Sequence, residues 1–215
     1  MPISPQTSAG PATHPGTLLN ICALQSSHGG PFSLELVAGE CVAVLGASGS
    51  GKSVMLRMVA DLDPHAGDVY LGGAARAAMP APEWRRKVVY QAAEPAWWAA
   101  TAAAHFADAD RQLLPVLLGQ LGLDEALLAS DVSRLSTGQR QRLALVRSLL
   151  CKPSVLLLDE PTAALDQAAI QAVESLLLDC MKDGLAIVWV THSEEQARRI
   201  GNRRVEVRAG QLHPL

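Results

Sequence analysis

The sequence is poor in aromatic residues and in net charge. Aromatic residues make up 4% of its 215 residues, while the apolar fraction is 49%, which suits a folded chain rich in packed helices. The formal net charge is −3, so the chain provides no strong electrostatic field for nucleic acid or for an anionic membrane. We therefore expect no nucleic-acid partner.

The sequence also lacks a paired cysteine motif. Its four cysteines, Cys22, Cys41, Cys151 and Cys180, include no C-x-x-C pair. Their spacing argues against a structural zinc site and against a disulfide framework. We expect free, buried thiols in a protein of a reducing compartment.

Long apolar runs are absent as well. No stretch reaches the about eighteen uninterrupted apolar residues that a membrane span requires, and no basic segment at the N-terminus leads into an apolar signal core. These absences favour a cytoplasmic protein that meets a membrane only through a partner. The first sixteen residues, MPISPQTSAGPATHPG, indicate a flexible tail over 1–16, followed by one domain over 17–215.

Apolar runs that alternate with helical patterns predict an α/β protein. FSLELV alternates apolar and polar residues as a half-buried strand does, whereas CVAVL, VLLLD and LAIVWVT are apolar throughout, as in a parallel sheet covered on both faces. GDVYL, KVVYQ and RRVEVR predict further strands. The Ala/Leu-rich text over about 96–150 predicts a helical insertion with breaks near Pro115, Gly119 and Gly122.

The segment GASGSGKS follows the strand CVAVL directly and precedes a helical pattern. Its spacing G-x-x-x-x-G-K-S arises by chance in roughly one chain in a hundred of this size. In the functional interpretation, backbone N–H groups and a helix N-terminus bind phosphates, Lys52 neutralises their charge and Ser53 ligates Mg²⁺. The alternative is a flexible turn with a solvated lysine. The segment comprises Gly46, Ala47, Ser48, Gly49, Ser50, Gly51, Lys52 and Ser53.

Two acids lie at the carboxyl end of the buried strand VLLLD, at the edge of the sheet where parallel α/β proteins bind ligands. Asp159 is our candidate metal ligand, and Glu160 is our candidate general base for an attacking water. The alternative is a pair of solvated acids before a proline turn. That alternative does not explain why the preceding strand is so apolar.

Two further features carry weaker signals. In RLSTGQRQRLALVRSLL, a serine and a short turn precede a long helix, which can bind an anion at its start. The alternative is an ordinary helix cap at Ser136 or Thr137 with a solvated arginine face. His192 ends the strand LAIVWVT and can hydrogen-bond a phosphate, although a single histidine there is more often structural.

Together these motifs resemble the ATP-binding-cassette (ABC) ATPases, in order and in spacing, from about residue 18 to the end. The resemblance implies a P-loop NTPase fold with a mostly parallel core sheet, an N-terminal antiparallel β region and an inserted helical subdomain. It implies ATP and Mg²⁺ as ligands, and a head-to-tail dimer formed on ATP binding with a second copy or another cassette. ATP then lies between the 46–53 loop of one subunit and the turn of the other, and Asp166 lies at the seam. The residues assigned to that turn are Ser136, Thr137, Gly138 and Gln139.

The chain departs from the family pattern at three places. Ala93 stands where the family has a glutamine that contacts Mg²⁺ and water, and Gln91 can replace it only if the loop is rearranged. His28 is the only candidate in LQSSHGG to stack on adenine. Thr137 adds a side chain where glycine is usual.

The resemblance favours the ATP-hydrolysing subunit of a transporter, bound to a separate membrane permease at the inner face of the cell membrane. One alternative is a soluble ABC ATPase that acts on DNA or ribosomes, and another is a regulator that binds ATP without hydrolysing it. Trp97 and Trp98 are candidates for an exposed socket that receives a permease helix. They can equally pack inside the helical subdomain.

Overall fold

The computed structural model describes residues 16–106 and 111–215. The expected tail therefore lies, except for Gly16, outside the described residues. The elements follow one another as β1 (Thr17–Ser26), β2 (Gly29–Val37), β3 (Cys41–Leu45), α1 (Lys52–Val59), β4 (Ala66–Leu71), β5 (Ala74–Ala75), α2 (Ala81–Lys87), β6 (Val88–Gln91), α3 (Leu113–Gln120), α4 (Thr137–Leu150), β7 (Val155–Asp159), α5 (Gln167–Lys182), β8 (Ala186–Val190), α6 (Glu194–Ile200), β9 (Arg203–Arg208) and β10 (Gln211–Pro214).

A six-stranded sheet with the order β10-β9-β3-β8-β7-β6 carries the functional residues. Its strands pair in parallel, except for the antiparallel pair β9 and β10. Every residue of β3, β7 and β8 is buried, as their continuous apolar sequences predict. The expected parallel α/β sheet is confirmed.

Each face of this sheet belongs to a different apolar core. Leu157 of β7 packs in a core with α1 and the N-terminal strands, whereas its neighbours Leu156 and Leu158 pack in a second core with α4 and α5. Successive side chains of a strand point to opposite faces, so a strand buried on both faces has no polar position. This arrangement explains why the central strands lack alternation.

A second, antiparallel sheet has the order β2-β1-β4-β5 and packs on α1. It confirms the N-terminal antiparallel region that the resemblance implies. The strand predictions at FSLELV and GDVYL are also confirmed, but the sequence patterns did not reveal β1, β5, β10 or α2. Irregular register between β1 and both of its neighbours disrupts the period-two pattern of β1.

The segment 96–150 is less helical than predicted. It contains α3, α4 and short 3₁₀ turns, and residues 92–100 form no helix. The predicted breaks at Pro115 and Gly119 are wrong, because both residues lie within α3. Pro115 is the third residue of that helix, where a backbone N–H has no intrahelical acceptor to lose. Gly122, with φ of 62°, does follow the helix end.

The four cysteines are free thiols, but the expectation that they are buried is correct only for Cys41. Cys151 is exposed because it follows the last residue of α4 at the protein surface, and Cys22 and Cys180 are half-buried. Among the described helices, none combines the length and apolarity needed to cross a membrane.

Candidate functional site

The segment GASGSGKS forms a loop between the buried strand β3 and helix α1, as its sequence predicts. Gly46, Gly49 and Gly51 have φ of 142°, 78° and 100°, values that favour glycine. At Gly46 a side chain is excluded for a second reason, since an added Cβ would lie 2.8 Å from the carbonyl oxygen of Val207. The loop is therefore a tight backbone cradle that ends at the N-terminus of α1.

Lys52 folds back over this loop. Its Nζ donates hydrogen bonds to the carbonyl oxygens of Gly46 at 2.7 Å and Ala47 at 2.9 Å. Burial lowers the pKa of Lys52, while the carboxylates of Glu160 and Asp159 oppose that shift. An ammonium has three donors, so one remains available for a phosphate oxygen above the loop.

The serines of the loop differ in their surroundings. Ser50 Oγ is buried and has no hydrogen-bond partner among the described residues, which is unusual for a buried hydroxyl. Ser53 is exposed in the first turn of α1, and Ser48 is exposed at the tip of the loop. An orphaned hydroxyl in a loop that leads into a helix N-terminus fits a site built to receive an oxyanion.

Asp159 and Glu160 lie at the carboxyl end of β7, beside the loop. Asp159 is 5% exposed and accepts a hydrogen bond from the hydroxyl of Tyr90 at 3.1 Å. Burial, followed by the charge of Asp159, raises the pKa of Tyr90 well above its usual value, so the phenol stays protonated and donates. The other oxygen of Asp159 is left for a cation or a water.

Glu160 adopts the left-handed conformation, with φ of 47°. A glutamate in this region carries backbone strain, which requires support from its surroundings. Its N–H donates to the carbonyl oxygen of Val190 at 3.1 Å, and its carbonyl oxygen accepts from Nε2 of Gln141 at 2.9 Å. Its carboxylate Oε1 lies 2.7 Å from Nε2 of His192.

A cavity of about 370 Å³ brings several of the predicted residues together, although Asp159 is not among those that line it. Its walls include the phosphate-loop residues Ser48, Gly49, Gly51, Lys52 and Ser53, together with His28, Val54, Glu160 and His192. The structure thus places the candidate base, the strand-end histidine and the loop lysine around one space. A neighbouring cavity shares His28 and Val54 with it and extends to Asp63 and His65.

Gln91 does not reach this cavity. Its side chain is 3% exposed and faces α4, where Nε2 donates to the carbonyl oxygen of Gln141 at 3.4 Å and Oε1 accepts from Ser148 at 3.3 Å. The alternation of β6 instead turns its neighbour Tyr90 toward Asp159. Ala93 is exposed and brings no polar side chain in place of the glutamine.

The turn 136–139 caps helix α4 and lies outside the cavity. Ser136 Oγ accepts from the N–H of Gln139 at 3.1 Å, and Gln139 Oε1 accepts from the N–H of Ser136 at 2.8 Å, which forms a capping box. Ser136 and Thr137 are exposed. Because the Ser136 oxygen accepts this bond, its own proton remains free for an external acceptor.

Gly138 and Asp166 also lie outside the cavity. A Cβ at Gly138 would be 3.2 Å from the carbonyl oxygen of Ala164, so the turn packs closely on the segment that leads to Asp166. Asp166 caps α5 by accepting from the N–H of Ala169 at 2.8 Å. Within one chain, the turn 136–139 and Asp166 are therefore helix caps at an exposed surface.

The comparisons with known proteins agree with this site. A family model described as "ABC transporter" matches residues 30–163. The chain belongs to the ABC transporter family. Among similar structures is an ATP-binding subunit of an ABC transporter, with a TM-score of 0.84 at 26% identity over 91% of this chain and 88% of that one. A dimeric ATP-binding cassette in a post-hydrolysis state with ADP and Pi has a TM-score of 0.78 at 26% identity, over 92% and 96%.

Similar ABC proteins of known name include transport ATPases. The thiamine import ATP-binding protein ThiQ of Escherichia coli (strain K12) is 33% identical over 192 residues, which cover 84% of this chain and 82% of ThiQ. The cobalt import ATP-binding protein CbiO of Rhodobacter capsulatus is 34% identical, over 84% of this chain and 70% of CbiO. Protein STAR1 of Oryza sativa subsp. japonica is 38% identical over 83% of this chain, which spans 55% of STAR1.

This ABC protein is therefore an ATP-binding and ATP-hydrolysing subunit of a transporter. The expected P-loop NTPase fold is confirmed.

Two residues of the site escaped the sequence interpretation, Tyr90 and Gln141. The alternation of KVVYQ already placed Tyr90 and Gln91 on opposite faces, so it could have shown that only one of them faces Asp159. Gln141 gave no such signal, because its contact with Glu160 joins residues 19 positions apart on different elements.

Proposed function

We propose that this ABC subunit hydrolyses ATP in a composite site, formed by the 46–53 loop, Asp159, Glu160 and His192 of one subunit and by residues 136–139 and Asp166 of its partner. The observation that carries the proposal is the single cavity walled by Lys52, Glu160 and His192. The exposed turn at the start of α4 supports the part of the site that the partner subunit supplies. This turn is built to bind an anion but lacks one within its own chain.

The phosphate loop binds and orients the nucleotide. Its backbone N–H groups supply donors, and Lys52 adds a positive charge that is already held in place by two carbonyl oxygens. A preorganised cradle of this kind stabilises charge without reorganising during the reaction. Ser136 of the partner donates its free hydroxyl proton from the opposite side.

Ser53 and Asp159 are the residues that would hold Mg²⁺. One hydroxyl and one carboxylate fit an ion that keeps several waters and completes its shell with phosphate oxygens. When bound, the ion offsets the charge of the phosphates. Tyr90 fixes the carboxylate of Asp159 by hydrogen bonding one of its oxygens.

Glu160 is the general base in this proposal. Its carboxylate accepts a proton from the attacking water, while His192, 2.7 Å away, orients that carboxylate and can bond the phosphate. Neither role needs the glutamine that Ala93 replaces. The absence of that amide removes one group that orients the water, so we expect active but slow hydrolysis.

His28 is our candidate contact for adenine. It lies at the border between the phosphate cavity and the adjoining space lined by Asp63, Pro64 and His65. An imidazole can stack on a base from this position. Its smaller ring makes the contact weaker than that of a larger aromatic side chain.

The permease contact is proposed at Trp97 and Trp98. Trp98 is 73% exposed, whereas Trp97 is half-buried, so neither the fully exposed nor the fully buried interpretation describes the pair. Arg147 lies over both rings, at 4.9 Å and 4.8 Å from their centroids, and His105 packs edge-on against both. A permease helix at this rigid patch would hold the subunit at the inner face of the membrane.

A subunit-mixing experiment tests the composite site. Lys52→Ala damages the loop, and Ser136→Arg blocks the turn, so each homodimer loses both sites. A mixed dimer keeps one site with a native loop and a native turn. We expect the mixture to recover phosphate release that neither variant shows alone, and no recovery would contradict the shared site.

A further inference from the structure

The backbone of Glu160 is held in its strained conformation by a buried side chain from another element. Gln141 is 2% exposed, and its Nε2 donates to the Glu160 carbonyl oxygen at 2.9 Å. A left-handed glutamate carries backbone strain, so it persists only where its surroundings determine it. Three bonds hold it: the one from Gln141, one from the N–H of Ala163 to the same carbonyl oxygen at 3.2 Å, and the one from the Glu160 N–H to Val190.

Two of these bonds tie Glu160 to other elements and so help to set where its carboxylate points. The bond to Val190 ties Glu160 to strand β8, which carries His192 just beyond its end, and the bond from Gln141 ties it to helix α4. If the peptide after Glu160 rotated, its carbonyl oxygen would lose both the Gln141 amide and the N–H of Ala163. Of these two donors Ala163 is local, so Gln141 is the one that ties this oxygen to another element.

Helix α4 itself is braced at this point. The main-chain carbonyl of Gln141 accepts a hydrogen bond from Nε2 of Gln91. The side-chain oxygen of Gln91 in turn accepts from Ser148, which lies two turns further along α4. The partner-facing turn that begins at Ser136 lies on the same helix, about 7–8 Å from Gln141 along the axis. The amide that holds Glu160 and the turn offered to the partner thus belong to one rigid element.

We propose that Gln141 is a positioning residue for hydrolysis, which keeps Glu160 in the left-handed conformation that aims its carboxylate at His192 and at the cavity. This inference rests on the proposed role of Glu160 as the base. Gln141 touches neither the cavity nor the phosphate loop. Its loss therefore slows the chemical step and leaves nucleotide binding intact.

The test compares Gln141→Met and Gln141→Glu with the wild type. The first replaces the amide by an apolar chain of similar length, and the second keeps the size but replaces the amide donor by a carboxylate, which accepts only and adds a negative charge. We expect both to lower kcat at least tenfold and to change the Kd for ATP, measured with a fluorescent analogue, by less than twofold. A kcat within twofold of wild type in either variant would overturn the proposal.

Gln91→Met is the matched control, since Gln91 is an equally buried glutamine that bonds the main-chain carbonyl of Gln141 but not Glu160. We expect it to keep kcat within twofold even if it unfolds at a lower temperature. A loss equal to that of Gln141→Met would overturn the inference in favour of general loosening of α4. Glu160→Gln is assayed alongside, because full activity in that variant would reject the role of Glu160 itself rather than that of Gln141.

Discussion

The imidazole Nε2 of His192 lies 2.7 Å from Oε1 of Glu160, although 31 residues separate them in sequence. The two side chains extend from the ends of neighbouring parallel strands, β7 and β8. This contact joins the candidate base to the group that orients it, a pattern common to activated catalytic groups.

Removal of the base is expected to abolish turnover but not binding. Glu160→Gln should lower kcat by about 10²–10⁴-fold, because an amide cannot accept the proton of the attacking water. His192→Ala in the same background should add little further loss, since residues that act as a unit are not additive. Steady-state phosphate release measures both effects.

Glu195→Gln provides the control for that experiment. Glu195 is exposed on α6 near His192, but it forms only a surface ion pair with Arg199. We expect its kcat to match the wild type. Equal, near-zero rates in the wild type and in Glu160→Gln would instead support a regulator that closes on ATP without turnover.

His28→Ala is expected to weaken binding of the nucleoside part of ATP alone. A lost stacking contact of about 1 kcal/mol corresponds to an increase in Kd of about fivefold. Binding of inorganic triphosphate, which has no base, should not change. Competition against a fluorescent ATP analogue measures both ligands, and an equal loss for the two would place His28 at the phosphates instead.

Gln91→Met is expected to affect stability rather than catalysis. It removes two buried hydrogen bonds of 3.4 Å and 3.3 Å and should lower the free energy of unfolding by about 1 kcal/mol. Urea unfolding measures this change. A fall in kcat with unchanged stability would show that Gln91 moves to the site and replaces the missing amide.

The cysteines should react at different rates with a thiol reagent at pH 8. Burial, with a smaller contribution from Glu40, raises the pKa of Cys41 to about 12, so about one part in 10⁴ of that thiol is ionised at this pH. Cys151 is exposed and should label first. Cys151→Ser should remove the fast phase, and Cys41 should label only after denaturant is added.

The sequence was sufficient to predict the central sheet and the place of the candidate catalytic groups in it. Local patterns determine both, because a strand buried on two faces must be apolar and a phosphate loop needs its glycines and lysine in a fixed order. The same local signals placed Asp159 and Glu160 at the correct edge of the sheet. Their proximity to His192 then follows from parallel pairing.

Long-range contacts were beyond such patterns. Pro115 was expected to break a helix, but only the structure shows that it occupies the first turn of α3. The support of Glu160 by Gln141 and of Asp159 by Tyr90 depends on which faces of α4 and β6 meet β7. The periodicity of a sequence shows which face of a helix or strand is apolar, but not which other element that face contacts.

Nucleotide affinity of Lys52→Ala tests the central claim most directly. Apart from two histidines, Lys52 is the one residue with a cationic side chain among those that line the phosphate cavity. We predict that isothermal titration with ATP shows a Kd at least tenfold weaker than that of the wild type, in a variant that still unfolds cooperatively in the absence of ATP. Equal affinity in the two proteins would contradict the account.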